Sequence, residues 1–247
     1  IGEGEGEDKC SYIQIINGGK KFITCNIKGY LASRIAFFLL NIRISSHNII
    51  FTRHGESEYN VEDRIGGDSS LSNHGKQYAT ILSQYLSNEF DQTYINLWSS
   101  DMKRTRETVK TYLDSNDENH LKYINYTEHK ELSEIHVGIC EGMTYNEVKE
   151  QYPQEYQARS IDKLRYRYPQ GESYLDMIKR LEPIIFELER TDKPVVLVAH
   201  RAVLRCLISY FLDLPAEEIP YLDIPLHTVL KLTPASYYNK LEKIKLM

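Results

Sequence analysis

The clearest pattern along the chain is a series of short apolar runs separated by longer amphipathic stretches. "NIIFTR" (48–53), "YINLWSS" (94–100) and "PVVLVAH" (194–200) read as buried strands, and "TVLKLTP" (228–234) as the strand that closes their sheet. Between them, "LSNHGKQYATILSQYLSNEF" (71–90) places Tyr78, Ile81, Leu82, Tyr85 and Leu86 on one helical face. "DMKRTRETVKTYL" (101–113) predicts a helix with Asp101 as its N-cap. Thr144 and Glu147 have capping-box spacing for a short helix over 145–151. A long helix is predicted over 173–190, with Pro183 as a kink or boundary. "AVLRCLISYFLD", directly after the most apolar strand, is apolar on almost every side and so belongs at the centre of the fold. Ahead of these elements, "SYIQIING" (11–18) alternates as a strand, and "GYLASRIAFFLLNI" (29–42) predicts a mostly buried helix. Strands alternating with helices define an α/β protein: three αβα layers around a mostly parallel central sheet. No repeat of fixed period is visible.

Two of these strands deliver the same residue to the same edge. "NIIFTR" runs into His54 and "PVVLVA" into His200, while "NLWSS" leads into Lys103-Arg104-Thr105-Arg106 at a helix start. In a parallel sheet the carboxyl ends of the strands lie on one side, where ligands bind. Two imidazoles and several cations should therefore meet there, beside helix N-termini that donate N–H groups to anions. This is a phosphate site in outline. Arg53 and Arg104 suit a bidentate cradle for a transferring phosphoryl group. A neutral His54, its pKa lowered by neighbouring cations, has a free nitrogen to attack phosphorus. His200 can bond the phosphoryl oxygens, and Glu134 in "KELSEIHVGICEG" is the candidate acid for the leaving group.

Composition narrows the partners. The 247 residues carry 30 Lys+Arg against 35 Asp+Glu, a net charge of −5 that argues against a broadly basic nucleic-acid surface. Positive charge for an anionic ligand must then be concentrated locally. At 41% hydrophobic and 26% charged, the chain has the balance of a soluble globular protein. Cys10, Cys25, Cys140 and Cys206 are scattered without a CxxC pair, as expected of reduced thiols in the cytoplasm. "IAFFLL" (35–40) is too short to span a bilayer and lies too far inside the chain for a signal peptide. The histidines form no HExxH, and there is no Asp-rich loop, so neither a metal nor another cofactor is expected. There is no GxxxxGK[ST] loop; "NGGKK" (17–21) reads only as a glycine turn. "IGEGEGED", opening on Ile1, is expected to be a tag remnant or an interdomain linker of a processed or cut fragment.

"TRHGESEYN" with the later "AHRAVLRC" resembles the histidine phosphatase (phosphoglycerate mutase-like) superfamily. "RIGGDSSLSNHG", "WSSDMKRTRET", "YRYPQGESY" and "IPYLDIPLHTVLKLTP" narrow the resemblance. They are similar to the bisphosphatase half of the 6-phosphofructo-2-kinase/fructose-2,6-bisphosphatase family. That resemblance runs from residue 48 to the end, while residues 1–47, through "NIKGYLASRI", resemble the tail of the kinase half. It implies a phosphoglycerate mutase-like fold and hydrolysis of the 2-phosphate of fructose 2,6-bisphosphate through a phosphohistidine. It also implies His54 as nucleophile and Glu134 as proton donor, with Arg53, Asn60, Arg104 and His200 around the phosphoryl group. Gly66, Tyr145, Arg159, Lys163, Tyr174 and Arg205 fall where the family holds the sugar and its 6-phosphate. "ARSIDKLRYRYP" independently reads as a basic stretch broken by tyrosines, suited to a phosphosugar clamp. An upstream kinase domain in a longer protein and a homodimer are the expected protein partners, and no kinase activity is expected of these residues.

Three positions depart from the family. His200-Arg201-Ala202 stands where His-Gln-Ala is usual, His136 where aspartate is common, and Ser133 where asparagine is. Arg201 shares a helical face with Arg205 and either adds a phosphate contact or pairs with a carboxylate such as Glu172. Two other functions fit part of the pattern. One is a mutase or broad phosphatase on the same fold, and the other a non-catalytic sensor of the bisphosphate.

Overall fold

A computed structural model describes residues 10–16, 21–41, 47–115, 118–234 and 239–247. The "IGEGEGED" segment and the "NGGK" part of the glycine turn lie outside the described residues. At the N-terminal side, β1 (Tyr12–Ile16) and β2 (Lys21–Cys25) pair antiparallel, followed by α1 (Tyr30–Asn41). The main body is a six-stranded sheet of β3 (Ile49–Arg53), β4 (Ile95–Ser99), β5 (Ile124–Glu128), β6 (Val195–Ala199), β7 (Thr228–Thr233) and β8 (Lys240–Lys245). Their order is β5-β4-β6-β3-β7-β8; β5, β4, β6 and β3 run parallel, β7 pairs antiparallel with β3, and β8 pairs antiparallel with β7.

The parallel strands are buried on both faces because their side chains alternate between two helix layers. Ile49 and Phe51 of β3, with Val195, Leu197 and Ala199 of β6, pack in one cluster with α8 (Tyr174–Arg190) and α9 (Arg201–Phe211). Ile50 of β3 and Val196 and Val198 of β6 join α3 (Asn73–Glu89) and α4 (Lys103–Ser115) on the opposite face. The expected three layers are thus present. The shorter helices are α2 (Glu58–Val61), α5 (Glu118–Leu121), α6 (Tyr145–Gln151) and α7 (Pro153–Ile161). A small satellite core of Val137, Cys140, Val148 and Tyr168 supports the segment above the strand ends.

Several expectations hold in detail. α6 starts at a Thr144–Glu147 capping box, and Tyr78, Leu82 and Leu86 are the buried stripe of α3. Others need correction. α1 is not mostly buried: among its residues with described burial only Ala36 is, while Tyr30, Leu31, Ile35, Phe37 and Phe38 are exposed. Its apolar sequence shows what a helix can bury, yet here it packs on α8 chiefly through the Phe37–Phe186 edge contact at 6.1 Å. Asp101 does not cap α4. Its carboxylate accepts from the Ser133 hydroxyl at 2.5 Å, and Asp68, from a distant loop, takes the Lys103 N–H at 2.8 Å. Pro183 is no boundary, since α8 continues through it. β7 does not close the sheet either; β8 pairs along its outer side. β5, β8 and α7 have no counterpart in the sequence reading.

Candidate active site

β3 carries its ladder one residue further, with the His54 N–H donating to the Ala199 carbonyl at 3.0 Å. The chain then turns at Gly55, where a Cβ would lie 2.4 Å from the Gly75 carbonyl oxygen. Only glycine permits that approach to the start of α3. Arg104, on the first turn of α4, donates its Nε–H to His54 Nε2 at 3.1 Å. Nε2 must therefore carry the lone pair, and Nδ1 the proton that it donates to the Gly55 carbonyl at 2.7 Å. The imidazole is buried, and its pKa is held well below the usual value. Burial is the largest cause, with Arg104 and then Arg53 behind it; the cations lower the pKa as expected, and burial adds the larger share.

His200 stands behind His54 with ring centroids 5.1 Å apart. Its Nε2 is 2.7 Å from the Ser100 hydroxyl, itself 2.7 Å from the Thr105 hydroxyl. Fully buried, it too is held neutral, by burial first and then Arg104. His200 Nδ1 and Arg53 Nε are buried without a hydrogen-bond partner among the described residues. Such groups are costly to leave unpaired, and a bound oxyanion is one way to satisfy them.

A cavity of about 480 Å³ opens beside this pair. Every residue expected at the site lines it except His200. Arg53 donates Nη1–H to the Ile224 carbonyl at 3.1 Å; burial lowers its pKa to about 10, and Glu134 opposes that shift. Of the three basic residues at the start of α4, Arg104 reaches inward from the buried side, whereas Arg106 pairs with Glu128 on the exposed side. Asn60 receives the Ser57 N–H at 3.0 Å in the capping box of α2, so the cavity wall and the helix start share one residue. Glu134 accepts the Ile135 N–H at 3.0 Å. Gly66 has φ +68°, and a Cβ there would lie 2.0 Å from the Glu141 carboxylate.

Four more of the expected basic residues line the same cavity: Arg159, Lys163, Arg201 and Arg205. Arg159, from α7, donates to the Tyr145 hydroxyl at 3.1 Å and lies 5.0 Å over its ring. Arg205 donates Nη1–H to the Tyr174 hydroxyl at 3.2 Å and Nε–H to the Leu222 carbonyl at 2.7 Å. Lys163 donates to the Pro220 carbonyl at 2.8 Å. Burial, then Arg205, Arg159 and Arg201, bring the Lys163 ammonium down to about 8. Arg201 lines the cavity at the start of α9. Glu172, named as a possible partner for it, is instead held by Arg180 at 2.9 and 3.0 Å. Missed by sequence were Ser100 behind His200, Asp68 at α4, and Tyr59 and Tyr168 in the wall. Only the small buried Ser99-Ser100 pair at the end of β4 offered a signal for any of these. Among the described residues no group of His, Cys, Asp and Glu could hold a metal ion.

A doubly covered sheet with two neutral histidines and a wall of guanidiniums at its strand ends is a phosphate-ester site of the histidine phosphatase type. The profile of the histidine phosphatase superfamily (branch 1) matches residues 49–246, and the chain belongs to that superfamily. A 6-phosphofructo-2-kinase profile matches residues 3–46. The rat "6-phosphofructo-2-kinase/fructose-2,6-bisphosphatase 3" is 45% identical over 97% of this chain and 42% of its own length. The human "6-phosphofructo-2-kinase/fructose-2,6-bisphosphatase 1" is 45% identical over 96% of this chain and 48% of its own. The chain thus spans a little under half the length of these curated relatives. Among solved structures, a mycobacterial glucosyl-3-phosphoglycerate phosphatase in complex with VO3 is similar with a TM-score of 0.65 and 25% identity, over 80% of this chain and 98% of that one. An Escherichia coli alpha-ribazole-5'-P phosphatase shares the fold, with a TM-score of 0.70 at 18% identity over 81% of this chain and 97% of that one.

Proposed function

We propose that this chain hydrolyses the 2-phosphate of fructose 2,6-bisphosphate through a phosphohistidine on His54. The observation that carries the reading is the Arg104–His54 pair: it leaves the Nε2 lone pair facing a buried cation at the wall of a basic cavity. Nε2 attacks phosphorus, and the bond from phosphorus to the sugar oxygen breaks. Glu134 gives its proton to that oxygen, releasing fructose 6-phosphate. Water then attacks the phosphohistidine and returns its proton to Glu134, and inorganic phosphate and free His54 result. Arg53, Arg104, Asn60 and His200 surround the transferring group and meet its developing charge. Tyr145, Arg159, Lys163, Tyr174 and Arg205 hold the sugar and its 6-phosphate, Gly66 offers backbone, and Arg201 adds a cation between the two phosphates. The names of the relatives support this substrate, and a cavity lined by Arg53, Arg104, Arg159, Lys163, Arg201 and Arg205 fits a molecule with two phosphates. The same reading takes residues 1–47 as the end of an upstream kinase part, 48–247 as the phosphatase domain, and the working protein as a cytoplasmic homodimer.

The test is phosphate release, in EDTA, from fructose 2,6-bisphosphate, fructose 1,6-bisphosphate and 3-phosphoglycerate in parallel. Release only from the 2,6-isomer is expected. Phosphate migration on phosphoglycerate would make the chain a mutase, and tight binding of the 2,6-isomer without release would make it a sensor.

Lys163 supplies a pH dependence. Its ammonium is charged below about 8 and attracts phosphate; the charge is lost as pH rises through that value. KM for the bisphosphate is therefore expected to rise above pH 8 while kcat changes little, and Lys163→Met should flatten that limb. A wild-type KM that stays level between about pH 7 and 9 would remove Lys163 from the phosphate site.

A further inference from the structure

Glu141 has no place in the chemistry above and lies outside the lining of the cavity, yet its carboxylate joins two segments that build the site. Oε1 accepts the Val137 N–H at 3.1 Å, and Oε2 accepts the Gly67 N–H. Val137 follows Glu134 by three positions in the same segment. The Gly67 carbonyl accepts Arg104 Nη1–H at 2.8 Å, and Arg104 Nε–H reaches His54 Nε2 at 3.1 Å. A line of contacts therefore runs from the nucleophile through Arg104 to the Gly67 carbonyl, across the Gly67 backbone to its N–H on the preceding peptide, and so to Glu141 and the segment that carries the acid.

The local sequence makes room for this carboxylate. Gly66 and Gly67 both have positive φ, at +68° and +63°, and a Cβ on Gly66 would overlap Glu141 Oε2. The negative charge of Glu141 also favours the charged form of Arg104, against the burial that disfavours it. His136, exposed beside the same carboxylate, approaches Oε1 at 3.9 Å. The two segments are tied independently by backbone bonds, from Ile65 N–H to the Met143 carbonyl at 2.9 Å and from Gly142 N–H to the Ile65 carbonyl at 2.8 Å. Arg64 adds a bond to the Gly142 carbonyl at 2.7 Å. Loss of the carboxylate should therefore leave the segments attached and loosen only the backbone turn at Gly67.

We propose that Glu141 is a positioning residue: by holding the N–H of Gly67 it fixes the backbone turn whose next peptide offers the Gly67 carbonyl to Arg104, so that Arg104 is held against His54, and it sets the acid-bearing segment in register with that pair. A carboxylate presents two acceptors to the two N–H groups, whereas a glutamine presents one acceptor and turns an NH2 toward the other N–H. Misplacement of a catalytic group by an ångström is enough to cost on the order of 100-fold in rate.

The test compares wild type, Glu141→Gln and Glu141→Asp in steady-state kinetics, thermal melting, and titration with vanadate and with fructose 6-phosphate. Glu141→Gln is expected to lower kcat by about 10- to 100-fold with KM within about threefold. Vanadate affinity should fall in parallel and fructose 6-phosphate affinity should stay level, while Glu141→Asp, which keeps both acceptors on a shorter stem, loses less kcat than Glu141→Gln. Equal losses in the Gln and Asp variants that track a lowered melting temperature would overturn the proposal, as would unchanged kcat and vanadate affinity in Glu141→Gln. The kinetic arm rests on the phosphatase reading. If wild type binds vanadate but turns over no phosphate ester, that reading fails, and Glu141 is judged by whether Gln weakens vanadate binding.

Discussion

His54→Ala is expected to reduce phosphate release from fructose 2,6-bisphosphate by on the order of 10⁴-fold or more, the scale seen when a nucleophile is removed and only binding and charge stabilisation remain. The geometry leaves no substitute. His200, buried behind His54, directs Nε2 at Ser100, and His227, also buried, accepts the Glu56 N–H on Nε2; both stand outside the cavity lining. Brief mixing of wild type with substrate labelled in the 2-phosphate should yield protein-bound phosphate that is acid-labile and stable in alkali. His54→Ala should yield none while its melting temperature stays near wild type. Labelled protein in the alanine variant, or turnover within tenfold of wild type, would move the nucleophile elsewhere. Since Arg104 Nε donates to this imidazole, the variant also leaves a buried N–H to be met by water or ligand. Phosphate binding to the variant is the control that separates lost chemistry from a collapsed site.

The second large effect is expected for Glu134→Gln, on the order of 10²- to 10⁴-fold in kcat on the sugar bisphosphate. Glutamine keeps the acceptor for the Ile135 N–H and the approximate shape but cannot transfer a proton. The choice of leaving group makes the result specific. p-Nitrophenolate is a weak base that departs without a proton, so the variant should phosphorylate itself readily from p-nitrophenyl phosphate. It should then stall, because activation of water also needs the carboxylate. A burst of one p-nitrophenol per site followed by slow turnover is the expected trace. Equal losses on both substrates with no burst would take the acid–base role away from Glu134 and leave it an electrostatic partner of Arg53 and Arg104.

Much of this site was legible because strand ends are a local signal. An apolar run that stops in a histidine places that histidine at the sheet edge, and parallel pairing of β3 with β6 brings Arg53 opposite Ala199 and so His54 beside His200. The capping boxes of α6 and α8 were local in the same way, although only the first was read from its residues. Where a partner comes from far along the chain, the local pattern misleads. Asp101 reads as the cap of α4, yet the helix starts at Lys103 with Met102 in the capping position, and Asp68 takes the Lys103 N–H. Arg104 and Arg106 are two positions apart in one basic run, yet the helix turns one into the site and the other outward to Glu128.

The sequence by itself determined the alternation of strands and helices, the histidines at strand ends and a local excess of cations within an acidic chain. These follow from side-chain periodicity and charge, which are properties of neighbouring residues. Tertiary structure alone decided that α1 keeps most of its apolar surface exposed, that β8 rather than β7 forms the sheet edge, and that burial outweighs charge in holding His54 neutral. It also decided that Glu141 bridges two segments of the site. Each of these depends on which distant groups exclude water or share a proton, and that is fixed only when the layers pack.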